Sequence, residues 1–276
     1  MQQEIELAQL KKITDIIQKR FDFDFGNYAM SSFKRRIQRV IEIYKYASID
    51  ALIDRLNDAD HKFFQEFLSE ITVNVTEMFR DPTFWRELKE SIIPNLLLND
   101  REINIWHAGC SSGEEVFSMA ILLTEMNLLG KAKIVASDVD NAILAKAREG
   151  KYPIKNMEVN QKNYERYEGS FLLQKYYKEE AGKAIMDKEL VKNVEWREHN
   201  LVSGGSFAKF DLILCRNVMI YFNQQLQNTV LKTFHESLHK YCYLAVGSKE
   251  SLIWCEIANK FVVVNNEEKI YKKVKD

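Results

Sequence analysis

The segment that decides the fold runs from residue 102 to residue 115 and reads EINIWHAGCSSGEE. Its first five residues are rich in isoleucine and tryptophan, which favour a β-strand. Gly109 and Gly113 then frame a turn of small residues, and a helical pattern begins at Glu115. In an α/β sheet, the turn that follows the carboxyl end of a strand is where a nucleotide-like ligand binds. The segment therefore predicts an α/β fold with a ligand site at this turn.

The rest of the chain continues the alternation of strand and helix. Short β-rich runs occur at Ile103–Trp106, Lys133–Ser137, Phe210–Cys215, Tyr241–Val246 and Phe261–Val264. Helical patterns lie between them at Glu115–Leu129, Ala142–Glu149 and Gln224–His239. This alternation predicts a parallel or mostly parallel sheet with helices on both faces.

A different pattern precedes this core. From about residue 3 to 70, apolar residues recur at helical spacing, and Ser48 is typical of a helix N-cap. Asp81 and Pro82 indicate the start of a further helix, Asp as the N-cap and Pro at the first helical position. We therefore expect a small all-α domain at 1–70 and an α/β domain at 71–276. Residues 151–199 interrupt the alternation with many tyrosines and a hairpin around Gly182, so we expect an inserted β-subdomain there.

Composition excludes several classes of protein. The 276 residues include 39 basic and 40 acidic side chains, so the charge of −1 argues against a nucleic-acid-binding protein. The four cysteines have no C-x-x-C spacing, and no apolar run approaches the ~20 residues of a membrane span. The first residues do not resemble a signal peptide. We expect a soluble cytoplasmic protein with reduced thiols.

The turn and the next strand indicate the kind of ligand. A dinucleotide site requires G-x-G-x-x-G, whereas this turn carries Glu114 and Glu115 where a diphosphate would lie. These carboxylates favour a cationic ligand. Asp138 ends the second predicted strand, where an acid accepts hydrogen bonds from both ribose hydroxyls. Together they suit adenosine with a positively charged tail, as in S-adenosylmethionine (SAM), and make a nicotinamide enzyme the least favoured alternative.

Seven segments, in order, resemble one known family. They are FKRRI (33–37), TVNVTEMFRD (72–81), WHAGCSSGEE (106–115), ASDVD (136–140), NL (200–201), FDLILCRNVMIYF (210–222) and GSKESL (247–252). On these segments the chain resembles the CheR-type chemotaxis receptor glutamate O-methyltransferases. The resemblance implies a Rossmann-like class I SAM-dependent methyltransferase domain, preceded by a small all-α domain and carrying a small β-subdomain insertion.

The resemblance also implies roles for individual residues. It implies cofactor contacts from Asn74, Thr76, Arg80, Ala108, Glu114, Glu115, Asp138, Asn200, Leu201, Arg216 and Asn217, and leaves open which of the two glutamates meets the SAM amino group. Arg80 and Tyr221 are the implied catalytic residues. The resemblance further implies that the substrate is bound by basic residues of the helix at about 30–46, namely Lys34, Arg35, Arg36 and Arg39.

The implied activity is transfer of a methyl group from SAM to glutamate γ-carboxylates on the cytoplasmic helical domain of chemotaxis receptors, with S-adenosylhomocysteine as product. Because a glutamate is already ionised at neutral pH, we expect an active site without a general base, histidine, cysteine or metal. We expect a monomer that acts on membrane-bound receptors. The alternatives are a SAM-binding regulatory module without turnover and a methyltransferase of another substrate.

Overall fold

The computed structural model describes residues 5–72, 76–98 and 102–276. The N-terminal part is all-α, as expected, with helices α1 (Leu7–Phe21), α2 (Met30–Tyr44), α3 (Ile49–Asn57) and α4 (His61–Ile71). Each helix buries one apolar stripe in a core that these four helices share. Ser48 caps α3 as predicted, since its side chain accepts a hydrogen bond from the Ala51 amide at 3.2 Å.

The second part is a mixed sheet with helices. Its strands and those of the insertion are β1 (Ile103–Ala108), β2 (Ala132–Asp138), β3 (Lys151–Pro153), β4 (Tyr177–Glu180), β5 (Lys183–Met186), β6 (Glu195–Glu198), β7 (Phe210–Cys215), β8 (Leu238–Val246), β9 (Phe261–Asn265) and β10 (Ile270–Lys273). Its helices are α5 (Pro82–Glu87), α6 (Ile93–Leu97), α7 (Glu114–Glu125), α8 (Asn141–Glu149), α9 (Met157–Tyr167) and α10 (Gln224–Ser237).

The main sheet has seven strands in the described residues, in the order β6-β2-β1-β7-β8-β10-β9. The first five are parallel to one another, and β10 runs antiparallel to both β8 and β9. The prediction of a mostly parallel α/β sheet is therefore confirmed, and the topology is Rossmann-like. Strand β8 begins at Leu238, inside the region predicted as helix, because Leu238 pairs with Phe210 and is fully buried.

The helix that starts at Pro82 differs from its prediction in two ways. The side chain of Asp81 does not cap the helix, because its carboxylate accepts a hydrogen bond from Arg216 at 2.6 Å instead. A π-helical turn, Leu88–Ile92, joins α5 to α6 and brings the chain to Pro94. A proline has no amide hydrogen to donate, so a widened turn just before it lets the helical segment continue to Leu97.

The insertion contains the predicted hairpin. Strands β4 and β5 turn around Gly182 and form a three-stranded sheet with β3. Strand β6, however, pairs with β2 in the main sheet, so the last residues of the predicted range 151–199 belong to the main sheet. No helix in the described residues is long and apolar enough to cross a membrane.

Tyrosines of the insertion pack against the sheet domain around one carboxylate. Glu125, at the end of α7, accepts hydrogen bonds from the hydroxyls of Tyr164, of Tyr167 at 3.4 Å and of Tyr176 at 3.1 Å. Phe79 stacks on Tyr167 with ring centroids 4.6 Å apart. This cluster fixes the insertion against α7 and the segment that leads into α5.

Substituting Glu125→Ala should lower the free energy of unfolding by about 2–4 kcal/mol, because buried tyrosine hydroxyls lose their acceptor. Urea unfolding followed by circular dichroism measures the loss. The control is Glu165→Ala, since the exposed Glu165 carboxylate bonds only to Gln161 in the described residues, at 2.8 Å. Equal losses in the two variants would contradict the role given to the cluster.

Burial, followed by the charge and hydrogen bond of Glu125, raises the pKa of Tyr176 to about 12. An unfolded tyrosine titrates near pH 10, so the stabilisation from this group is complete below about pH 10 and is lost as the pH rises through 12. Tyr176→Phe should therefore reduce the fall in stability between pH 9 and pH 11.5. The control Tyr241→Phe removes an exposed tyrosine and should leave that fall unchanged; superimposable profiles for all three proteins would refute the prediction.

Candidate functional site

A cleft lies beyond the carboxyl ends of β1 and β7. These neighbouring strands send their following segments in different directions, β1 to α7 and β7 to α10, and such a switch point is where α/β sheets bind ligands. The cleft has a larger lobe of about 830 Å³ and a smaller lobe of about 490 Å³, both including space open to solvent. The two lobes share Gly109, Ser111, Asn217 and Val218, so they form one continuous space.

Both domains line the larger lobe. The sheet domain contributes Gly109, Ser111, Asp138, Val139, His199, Asn200, Leu201, Val202, Asn217, Val218, Tyr221 and Phe222. The helical domain and the segment after it contribute Tyr28, Ser32, Phe33, Arg36, Ile71 and Thr72. The cleft is therefore completed by the N-terminal helices.

The turn after β1 packs closely against the loop after β7 at the cleft. Gly109 has φ of +76°, and a Cβ atom there would lie 2.7 Å from Cγ2 of Val218. Glycine is required because any side chain would both strain the backbone and collide with the loop after β7.

Asp138 ends β2 and turns its carboxylate into the larger lobe. It accepts hydrogen bonds from the backbone amides of Ser111 at 2.9 Å and Asp140 at 3.1 Å. Burial raises the pKa of Asp138, and this effect exceeds the lowering that the two hydrogen bonds cause. Each carboxylate oxygen can accept a further bond, so Asp138 can hold a pair of hydroxyl groups.

Three buried polar atoms of residues that line the cleft have no hydrogen-bond partner among the described residues, namely Oγ of Ser111, Nε2 of His199 and Nε of Arg216. Burial and then the charge of Arg197 lower the pKa of His199, which favours its neutral form. Buried polar atoms are normally paired, so unpaired ones at a cleft indicate a polar ligand.

The two adjacent glutamates have different environments. Glu115 lines the smaller lobe, where its Oε1 lies 2.8 Å from Nδ1 of His107 and its Oε2 lies 3.5 Å from the Arg216 guanidinium. Burial opposes its ionisation, but His107 and Arg216 together lower the pKa of Glu115. Glu114 instead accepts a bond from Ser112 at 2.6 Å, and burial raises its pKa to about 7. Of the two adjacent glutamates, Glu115 is therefore the one that faces the cleft.

Arg216 follows β7 and is almost fully buried. Its guanidinium donates to Asp81 at 2.6 Å and lies 4.0 Å from the ring centroid of Phe84. Arg80, next to Asp81, lines the smaller lobe with Thr76. The ion pair thus holds the segment between the domains against the cleft.

Glu250 fixes the loop that follows Arg216. Its buried carboxylate accepts from the amides of Asn217 at 2.9 Å, Ile220 at 3.1 Å and Gly247. Asn217 has φ of +61°, so the loop needs this external support. Sequence reasoning gave Glu250 no role, although it lies in the resembling segment 247–252.

The helical domain is joined to this same loop. The Ala29 amide donates to the Tyr221 carbonyl at 2.8 Å, and the Asn223 amide donates to the Asn27 carbonyl at 2.9 Å. Tyr28 packs edge-on against Phe222, with ring centroids 5.2 Å apart. The start of α2 is thereby fixed beside Tyr221.

The structure brings most of the sequence-predicted residues to the cleft. The residues that line a lobe are Arg36, Thr76, Arg80, Glu115, Asp138, Asn200, Leu201, Arg216, Asn217 and Tyr221. The predicted residues that line neither lobe are Lys34, Arg35, Arg39, Ala108 and Glu114. Ala108 is buried within β1, and Asn74 lies outside the described residues.

Sequence reasoning missed Tyr28, His107 and His199. Tyr28 and His199 line the larger lobe, and His107 supports Glu115 from within β1. Of these three, only His107 could have been found from local sequence, because it lies inside the segment 102–115 that predicts the ligand site. Tyr28 reaches the cleft through tertiary contacts alone.

These residues fit SAM. Asp138 suits the ribose hydroxyls, Glu115 suits an ammonium group, and the unpaired atoms of Ser111 and His199 can bond to a polar ligand. No group of three His, Cys, Asp or Glu that could hold a metal ion occurs in residues 5–72, 76–98 and 102–276.

Comparison with known proteins agrees with this chemistry. Residues 74–270 match a family model described as the CheR methyltransferase SAM-binding domain, and residues 8–72 match the CheR methyltransferase all-alpha domain. Cher3 of Pseudomonas putida is 36% identical over 265 residues, 96% of each chain. The chemotaxis protein methyltransferase of Listeria innocua is 31% identical, covering 87% of this chain and 88% of its own.

A third relative, the chemotaxis protein methyltransferase of Borreliella burgdorferi, is 30% identical and is matched over 88% of each chain. The two family models together cover nearly the whole chain, in the order in which the two domains fold. The chain belongs to the CheR methyltransferase family and is a SAM-dependent methyltransferase.

Proposed function

We propose that this protein methylates glutamate γ-carboxylates on the cytoplasmic helical domain of chemotaxis receptors, producing glutamate methyl esters and S-adenosylhomocysteine. The relatives named as chemotaxis protein methyltransferases support the pathway. The observation that carries the choice of a carboxylate substrate is the positive charge around Tyr221.

Tyr221 lines the larger lobe where the two domains meet. Burial raises the pKa of Tyr221, and the nearby charges of Arg36, Arg80 and Arg35 act in the opposite direction. The charge of Glu250 acts with burial. Arg36 lines the larger lobe with Tyr221, however, and Arg80 lines the adjoining smaller lobe, so guanidinium groups border the cleft on both sides of this junction. Such a potential attracts an anionic substrate group and disfavours amines.

The cofactor would be held by residues from both lobes. Bound SAM supplies a methyl group on a positively charged sulfur, ready for transfer to a nucleophile. In this proposal Asp138 binds the ribose hydroxyls, Glu115 binds the amino group, and Arg80 binds the carboxylate. Asn200 and Leu201 border the adenine, while Thr76, Arg216 and Asn217 line the remaining wall.

The protein's contribution to the reaction is placement rather than proton transfer. A substrate glutamate has an ordinary pKa near 4.3 and is ionised at neutral pH, so no base is needed. Arg80 and Tyr221 would orient the carboxylate oxygen in line with the methyl group, which is worth up to ~7–11 kcal/mol in favourable intramolecular reactions. The raised pKa keeps the Tyr221 hydroxyl protonated as a hydrogen-bond donor.

Helix α2 supplies the surface for the acidic receptor helix. Lys34, Arg35, Arg36 and Arg39 lie on it, while Phe33, Ile37 and Val40 are buried in the helical core. Arg35 and Arg39 are exposed, and Arg36 reaches the larger lobe. The helix therefore presents positive charge from the solvent inward to the reaction site.

The experiment that tests the function uses purified protein, methyl-labelled SAM and membranes that carry the organism's own chemoreceptors. Label in the receptor band that is released as methanol by base would establish carboxyl methylation. Binding of SAM with no such label on any receptor would overturn the proposed substrate and favour a regulatory role or another substrate.

Glu115→Gln should weaken SAM binding about 10- to 100-fold, because the amino group loses a charged acceptor. Glu114→Gln is the matched control, since Glu114 faces Ser112 rather than the cleft, and it should change affinity less than about threefold. Isothermal titration calorimetry measures both. A larger loss in the Glu114 variant would reverse the assignment of the two glutamates.

Charge reversal at Arg35 and Arg36 should raise the receptor KM about tenfold or more and change SAM affinity much less, because the variant repels an acidic helix. The measurement is initial-rate methylation of receptor membranes at low salt, where surface charges are least screened. Lys12→Glu, an exposed change on α1, should leave KM unaltered. An unchanged KM in the double variant would exclude α2 as the receptor surface.

A further inference from the structure

Three exposed apolar side chains lie on two segments that hydrogen-bond to each other, the segment 220–224 with Tyr221 and the loop after β8. They are Ile253, Trp254 and Ile220, with 71%, 80% and 37% of their surface exposed. We call them the rim patch. Contiguous exposed apolar groups often mark a surface that binds a partner.

The backbone under the rim patch is firmly held. Gln224 donates its side-chain amide to the Trp254 carbonyl at 3.1 Å, and the Glu256 amide donates to the side chain of Asn228 at 3.0 Å. The intervening Cys255 is buried. The backbone position of Trp254 is therefore set by the fold, and a backbone that is already ordered lowers the entropic cost of binding a partner.

The rim patch and the basic end of α2 flank the same residue. Gln224, which holds Trp254, lies three residues after Tyr221, and the Ile220 amide bonds to Glu250 in the loop that carries the patch. On the other side, Ala29 pairs with the Tyr221 backbone and leads into α2 with Arg35 and Arg36. The exposed apolar side chains and the start of α2 are thus both joined to the segment that carries Tyr221.

We propose that the rim patch binds apolar side chains of the acidic amphipathic helix whose glutamate is methylated. This inference rests on the proposed function. Residues three or four apart on a helix are neighbours at about 5–6 Å, so a helix with its glutamate at Tyr221 reaches both sides with adjacent turns. Its acidic side chains meet Arg35 and Arg36, and its apolar ones cover Trp254. The patch therefore fixes which glutamate enters.

The kinetic test compares Trp254→Ala with Leu98→Ala in methylation of receptor membranes. Leu98 is 81% exposed and precedes the amino end of β1, whereas the cleft lies at the carboxyl end of that strand. Trp254→Ala should raise the receptor KM at least about tenfold, the size of a binding hot spot, with SAM affinity and melting temperature unchanged. Leu98→Ala should change none of the three.

The outcomes separate the inference from the proposed function. If the wild-type protein methylates receptors and Trp254→Ala keeps its KM, the inference is overturned and the proposed function remains. Equal increases in KM for both variants also overturn it. If the wild-type protein methylates no receptor, the proposed function fails and this inference fails with it.

A second measurement does not depend on turnover. Of the four tryptophans, Trp85 and Trp106 are fully buried and Trp196 is half-buried, so Trp254 dominates quenching by acrylamide. Adding a soluble, tryptophan-free cytoplasmic fragment of the receptor should reduce this quenching in the wild-type protein but not in Trp254→Phe. Undiminished quenching at saturating fragment would refute contact with Trp254.

Discussion

The ion pair between the buried Arg216 and the partly exposed Asp81 is the constraint on which the site depends. It joins residues 135 positions apart and brings together the loop after β7 and the segment between the domains. A buried guanidinium is costly unless it is paired, and here Glu115 and the ring of Phe84 lie beside it as well. Removing Asp81 or Glu115 would leave the Arg216 guanidinium with less compensating negative charge, next to a cleft that must also accept a charged ligand.

The rest of the site extends outward from this centre. Glu115 connects Arg216 to His107 within the sheet, and Glu250 holds the loop that carries Asn217 and Tyr221. Two carboxylates therefore do different work. Glu115 faces the smaller lobe of the cleft, whereas Glu250 accepts hydrogen bonds from backbone amides. The chemistry of placement proposed for this enzyme requires that neither the loop nor the turn after β1 moves relative to the other.

Local patterns predicted what depends on local structure. The alternation of strand and helix predicted the sheet, and the segment 102–115 predicted the turn that lines the cleft. They could not predict that the Asp81 side chain pairs with Arg216 instead of capping α5, because Arg216 is distant in sequence. Nor could they distinguish Glu114 from Glu115, since that depends on how the first turn of α7 faces the cleft. Tyr28 was invisible for the same reason, as only tertiary packing brings it there.

The larger lobe has walls from two separately cored domains, with Tyr28 on one side and Asp138 on the other. A molecule bound there contacts both domains, so its binding free energy adds to that of domain association. A cofactor bound in this lobe would then stabilise the interface between the helical domain and the sheet domain. In the proposed arrangement, SAM in this lobe would therefore hold α2, the proposed receptor surface, against the sheet domain, and that surface would be most firmly held when the methyl donor is bound.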